Sequence, residues 1–121
     1  MNIKKLKDLP TFIAGDNSIL KEILNPLKEE NLAVNYSLAY AVVPPNETTK
    51  KHQLTTSEVY FIISGIGEMY INNNSKEVEK GDTIYIPPNA IQNIKNIGED
   101  DLIFLCIVDP AWKKENEIVL E

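Results

Sequence analysis

Residues 50–65 read KKHQLTTSEVYFIISG, and residues 81–96 read GDTIYIPPNAIQNIKN. The first stretch holds the single histidine of the chain, His52, then Glu58, then an apolar run that stops at Gly65. The second opens on Gly81, alternates through Ile84 and Ile86, breaks at Pro87-Pro88-Asn89 and resumes at Gln92. Short β-favouring runs bounded by glycine, proline and asparagine are the pattern of strands joined by tight turns.

The same grammar extends outward in both directions. LAVNYSLAYAVV (32–43), EVYFIIS (58–64), MYIN (69–72), KEVEKGDTIYIPP (76–88), IQNIKNI (91–97) and LIFLCIV (102–108) are rich in β-branched and aromatic residues. Many short strands at even spacing predict an all-β sandwich or barrel. Upstream, Asp16, Asn17 and Ser18 offer caps to ILKEIL (19–24), so a short amphipathic helix is expected over about residues 16–25. Downstream, Asp109 and Pro110 suit the start of a helical turn, Trp112 supplies a side chain to bury, and KKENEIVLE reads as surface. The expected organisation is one domain over 1–121, with a core at about 32–108, a helical arm at 16–25 and a tail at 109–121.

The 121 residues match the commonest domain size, and 43% hydrophobic with 25% charged residues is an ordinary globular balance. All 12 basic residues are lysine, and the net charge is -6. Without arginine there is no bidentate reader of phosphate or guanine, and without a basic cluster there is no electrostatic footprint. Nucleic acid and anionic membrane are therefore not expected partners. Cys106 has no second cysteine to pair with, which suits a reducing compartment, and no apolar leader follows MNIKKLKDLP. A cytoplasmic location is the expectation.

The two quoted stretches resemble the cupins, small double-stranded β-helix (jelly-roll) barrels. That family's first motif runs glycine, two histidines, glutamate, glycine; its second runs glycine, proline, glycine, histidine, asparagine. His52, Glu58 and Gly65 fit the first spacing, and Gly81, Pro87 and Asn96 fit the second. Asn46 and Asn89 stand where the motifs have glycine, and asparagine is the side chain that best tolerates left-handed backbone. The resemblance is strongest to compact single-domain cupins of the mannose-6-phosphate-isomerase-like kind.

In the family the metal ligands are the two histidines of the first motif, its glutamate and the histidine of the second. Here those positions read His52, Leu54, Glu58 and Gln92. The resemblance therefore implies a reduced ligand set of His52, Glu58 and Gln92, and strand parity would turn all three inward. One imidazole, one carboxylate and one amide suit manganese, iron, nickel or cobalt better than zinc, and equally form a metal-free hydrogen-bonded trio. Tyr60, Met69, Tyr85 and Cys106 fall where they either line a substrate pocket or simply pack.

Two functions follow from the resemblance. One is a metal-dependent oxygenase or isomerase acting on a small polar molecule. The other is a non-catalytic small-molecule-binding barrel without metal. Both imply a ligand inside the barrel, and strands apolar on both faces, with the family's habit, imply a homodimer.

Overall fold

The computed structural model describes every residue from Met1 to Glu121. Eleven strands follow one another along the chain: β1 (Phe12–Ile13), β2 (Ile19–Leu24), β3 (Ser37–Val43), β4 (His52–Leu54), β5 (Ser57–Ser64), β6 (Ile66–Ile71), β7 (Asn74–Glu79), β8 (Thr83–Ile86), β9 (Gln92–Asn96), β10 (Leu102–Asp109) and β11 (Glu117–Val119). They form two antiparallel sheets. One has six strands in the order β1-β2-β3-β10-β5-β8, and the other five in the order β11-β4-β9-β6-β7. Facing sheets with such crossed connections make the jelly roll expected from the turn pattern.

Alternation sets the inside of each strand. Along β10, Leu102, Phe104, Cys106 and Val108 are buried, while Ile103, Leu105 and Ile107 are only partly covered. β5 inserts Glu58, Tyr60 and Ile62 in the same way. Asn46 and Asn89 both adopt positive φ, 68° and 67°, so the two asparagines do turn the backbone where the motifs carry glycine. Gly65 is required by proximity as well as by its φ of 91°, since a Cβ there would lie 2.6 Å from the Asp101 carbonyl oxygen. Asn96 fastens the next turn: its Nδ2 donates to the carbonyls of Val43 and Asp100, each at 2.8 Å, and its Oδ1 accepts from the Gly98 amide.

Two expected elements differ. ILKEIL is not a helix but strand β2, paired with β1 on one side and with β3 on the other. A six-residue helix has little intrinsic stability, whereas β-branched Ile19 and Ile23 gain a ladder and a sheet face as a strand. Asp16 performs its capping chemistry in the hairpin turn instead, its Oδ1 accepting from the Ser18 amide (3.0 Å) and hydroxyl (2.6 Å). At the other end no helical turn forms at Asp109–Pro110. The only helical pieces are 3₁₀ turns at Leu6–Asp8 and Lys114–Asn116, and the tail, largely at the surface as expected, also supplies β11, paired with β4. The sheets thus extend beyond 32–108 at both ends, and strands from the two ends of the chain close one end of the sandwich.

Candidate functional site

The interior of the sandwich is divided. Ile62, Met69, Ile84, Ile86, Ile94 and Leu102 fill one part solidly. The other part encloses a cavity of about 270 Å³. Its walls are apolar on several sides, with Leu20 from β2, Leu54 from β4, Phe104 and Val108 from β10, and Trp112 beyond it. Its polar lining comes from Asp16, His52, Glu58, Tyr60 and Glu117, with Lys28 and Glu22 towards one side.

Strand pairing assembles the polar residues as parity requires. His52 on β4 lies directly across from Gln92 on β9, and β5 brings Glu58 and Tyr60 from the facing sheet. Gln92 Nε2 donates to Glu58 Oε1 at 2.9 Å, and the Tyr60 hydroxyl donates to Gln92 Oε1 at 3.0 Å. Tyr60 is steadied by Phe104, their ring centroids 4.4 Å apart. The His52 ring takes a different role. Its Nδ1 lies 2.9 Å from the Lys50 carbonyl oxygen, which can only accept, so Nδ1 carries the hydrogen. Nε2 is left facing Asp16 Oδ2 at 3.8 Å, too far for a hydrogen bond.

Burial sets the protonation of this end. Desolvation is the main cause that pushes the Glu58 carboxyl up to about 8, with the charges of Asp16 and Glu117 adding to it and the Gln92 hydrogen bond opposing it. Glu117 is also raised, first by burial and then by Asp16, with His52 pulling the other way. The Tyr60 phenol and the Cys106 thiol lie well above their ordinary values, again chiefly through burial. Cys106 is therefore a protonated thiol on the cavity wall rather than a nucleophile.

The proposed ligand residues are thus neighbours, and two of them are bound to each other. Gln92 engages both ends of its amide, Nε2 on Glu58 and Oε1 on Tyr60. Burial pushes the Glu58 carboxyl up to about 8, and Leu54 offers only hydrocarbon. Nowhere in the chain do three His, Cys, Asp or Glu side chains gather within metal-binding range of one point. Of the four residues considered for substrate contact, Tyr60 and Cys106 line the cavity. Met69 lies in the packed part, opposite Ile94, and Tyr85 points outward with 62% of its surface exposed. Sequence reasoning missed Asp16 and Glu117. Asp16 reads as a cap, and Glu117 sits in a polar tail whose strand is visible only through its pairing with β4.

Comparison with known proteins places these features in a family. A family model described as a cupin domain matches residues 39–108. An uncharacterized protein of Methanocaldococcus jannaschii is 41% identical over 111 residues, covering 91% of this chain and 87% of that protein. The 5-aminosalicylate 1,2-dioxygenase of a Comamonas species is 30% identical over 97 residues, but the match spans only 26% of the dioxygenase. Among solved structures, a Photorhabdus luminescens protein superposes with a TM-score of 0.78 at 27% identity, covering 95% of this chain and 91% of its own. A deletion mutant of Bacillus subtilis oxalate decarboxylase gives 0.81 at 19% identity over 32% of its length, a likeness of fold alone.

Proposed function

The chain belongs to the cupin family, and within it we propose a small-molecule-binding barrel that holds its ligand without a resident metal ion. The observation that carries this reading is the doubly engaged amide of Gln92, which closes a chain from Tyr60 through Gln92 to Glu58. That chain satisfies buried polar groups internally, and breaking it to free a donor would leave another one unpaired. The cavity beside it has apolar walls and a few convergent polar groups, the usual make-up of a ligand pocket.

Charge narrows the ligand. Asp16, Glu22 and Glu117 line the cavity against one lysine, with the Glu58 carboxyl pushed up to about 8 beside them, and Lys28 is already paired with Glu22 at 2.8 Å. Carboxylates such as aminosalicylate or oxalate, after which the dioxygenase and the decarboxylase are named, find no free cation here. A neutral or cationic molecule suits the lining better. The competing reading, a metal-dependent oxygenase or isomerase, draws on His52 Nε2 and Glu58 opening on the same cavity. An ion between them would compete with the Gln92 hydrogen bond for the Glu58 carboxyl.

The outer face of the six-stranded sheet supports a homodimer. Tyr40, Leu105 and Phe61 lie side by side across β3, β10 and β5, and Phe61 is 42% exposed. Light scattering should give twice the chain mass, and a monomer at working concentration would contradict it. The binding function is tested by a thermal-shift screen of small neutral and charged organic molecules. A hit that perturbs the Tyr60 and Phe104 ring resonances in NMR spectra supports it. A screen in which no hit perturbs them overturns it.

A further inference from the structure

The polar end of the cavity contains acceptors with no donor. Asp16 is 7% exposed and His52 only 3%, yet Asp16 Oδ2 and His52 Nε2 make no hydrogen bond. Each of these residues uses its other atom structurally: Asp16 Oδ1 holds the hairpin turn, and His52 Nδ1 holds the Lys50 carbonyl. The free atoms are left for the cavity that both side chains line. Glu117, brought in by β11, adds a third acceptor group. Gly15 admits it: a Cβ at that position would lie 2.8 Å from Glu117 Oε1.

The one lysine on the cavity lining is not free to answer these groups. Lys28 is paired with Glu22 and sits over the Trp112 ring, 5.4 Å from its centroid. Asp16 Oδ2 and His52 Nε2 both open on the cavity and leave acceptor capacity unused by the protein, so a donor entering the cavity would find acceptors in place. An ammonium group presents three donors and a positive charge. The apolar walls, Leu54, Phe104 and Val108 among them, suit a hydrocarbon body attached to it. The cavity measures about 270 Å³. That space admits a small amine.

We propose that this cavity recognises an organic ammonium, a primary amine on a small apolar body, its head between Asp16 and His52, whose Oδ2 and Nε2 lie 3.8 Å apart, with Glu117 adding negative charge to the same lining. The inference rests on the binding-barrel reading and names the class of ligand. Three probes of nearly equal shape test it by calorimetry: 2-phenylethylamine, 2-phenylethanol and phenylacetate. The amine should bind at least tenfold more tightly than the alcohol, and phenylacetate should bind weakest.

Asp16→Asn and Glu117→Gln should each weaken the amine at least fivefold while leaving the alcohol nearly unchanged. Should loss of the Asp16 turn contacts unfold the first variant, the second carries the test alone. Equal binding of all three probes, or a preference for phenylacetate, overturns the ammonium assignment and leaves the binding barrel standing. An amine preference untouched by the variants overturns the placement of the head group. Binding of none of the three counts against both readings.

Discussion

The two parts of the interior are built from the same strands and solve different problems. Along β5, Ile62 faces the packed part and Glu58 the cavity, with Tyr60 between them. Along β9, Ile94 packs against Met69, while Gln92, two residues earlier, holds Glu58. Where side chains interlock, stability comes from buried hydrocarbon, about 25 cal/mol per Å² removed from water. Where they do not, polar groups are kept in place by one another, and burial shifts a carboxyl far from its ordinary range. The packed half secures the fold, and the hollow half is free to carry chemistry.

The largest expected effect lies in the packed half. Ile62→Ala removes a fully buried side chain and should cost about 2–5 kcal/mol in denaturant unfolding. A cost below about 1 kcal/mol would mean that the two halves are not so different. In the hollow half, Tyr60→Phe leaves Gln92 Oε1 without its donor and should cost about 1–3 kcal/mol with the fold retained. A neutral outcome would show that the chain of hydrogen bonds is not what holds the amide.

A titration sharpens the contrast further. Because the fold raises the Glu58 carboxyl to about 8, the folded state binds that proton more tightly than the unfolded chain does. The stabilisation is complete below the ordinary carboxylate value of 4.5, is lost progressively as the pH rises towards about 8, and changes no further above it. Every tenfold gain in proton affinity on folding corresponds to about 1.4 kcal/mol. Unfolding free energy measured from pH 5 to pH 8 should therefore fall in the native protein, and the fall should be shallower in Glu58→Gln. Parallel slopes would show that Glu58 does not hold its proton in this way. Leu54→His is expected to have the smallest effect on metal binding, since it adds one imidazole but leaves Gln92 engaged at both ends. A gain of tenfold or more in manganese affinity would show that the remaining groups already converge on an ion.

What was legible in the sequence was local or periodic. Asn46 and Asn89 announce left-handed turns because asparagine tolerates that backbone, and both have positive φ. Strand parity alone turns His52, Glu58 and Gln92 inward, and all three are buried. The illegible part depended on partners far along the chain. ILKEIL carries an apolar spacing that serves a helix or a strand, and only the neighbouring β3 decides for the strand. Asp16 and Glu117 come from opposite ends of the chain, and their joint presence at the cavity follows from how β2 and β11 are added to the two sheets. The direction of the Gln92 amide likewise depends on Tyr60 and Glu58 together, which no spacing encodes.

The central claim is that Tyr60, Gln92 and Glu58 satisfy one another and do not hold an ion. The most direct measurement is the metal content of protein purified without chelators and equilibrated with manganese, iron, nickel and cobalt before desalting. Less than a tenth of an equivalent of any of them is the predicted result. Close to one equivalent per chain, lost on Glu58→Gln or on His52→Ala, would contradict it.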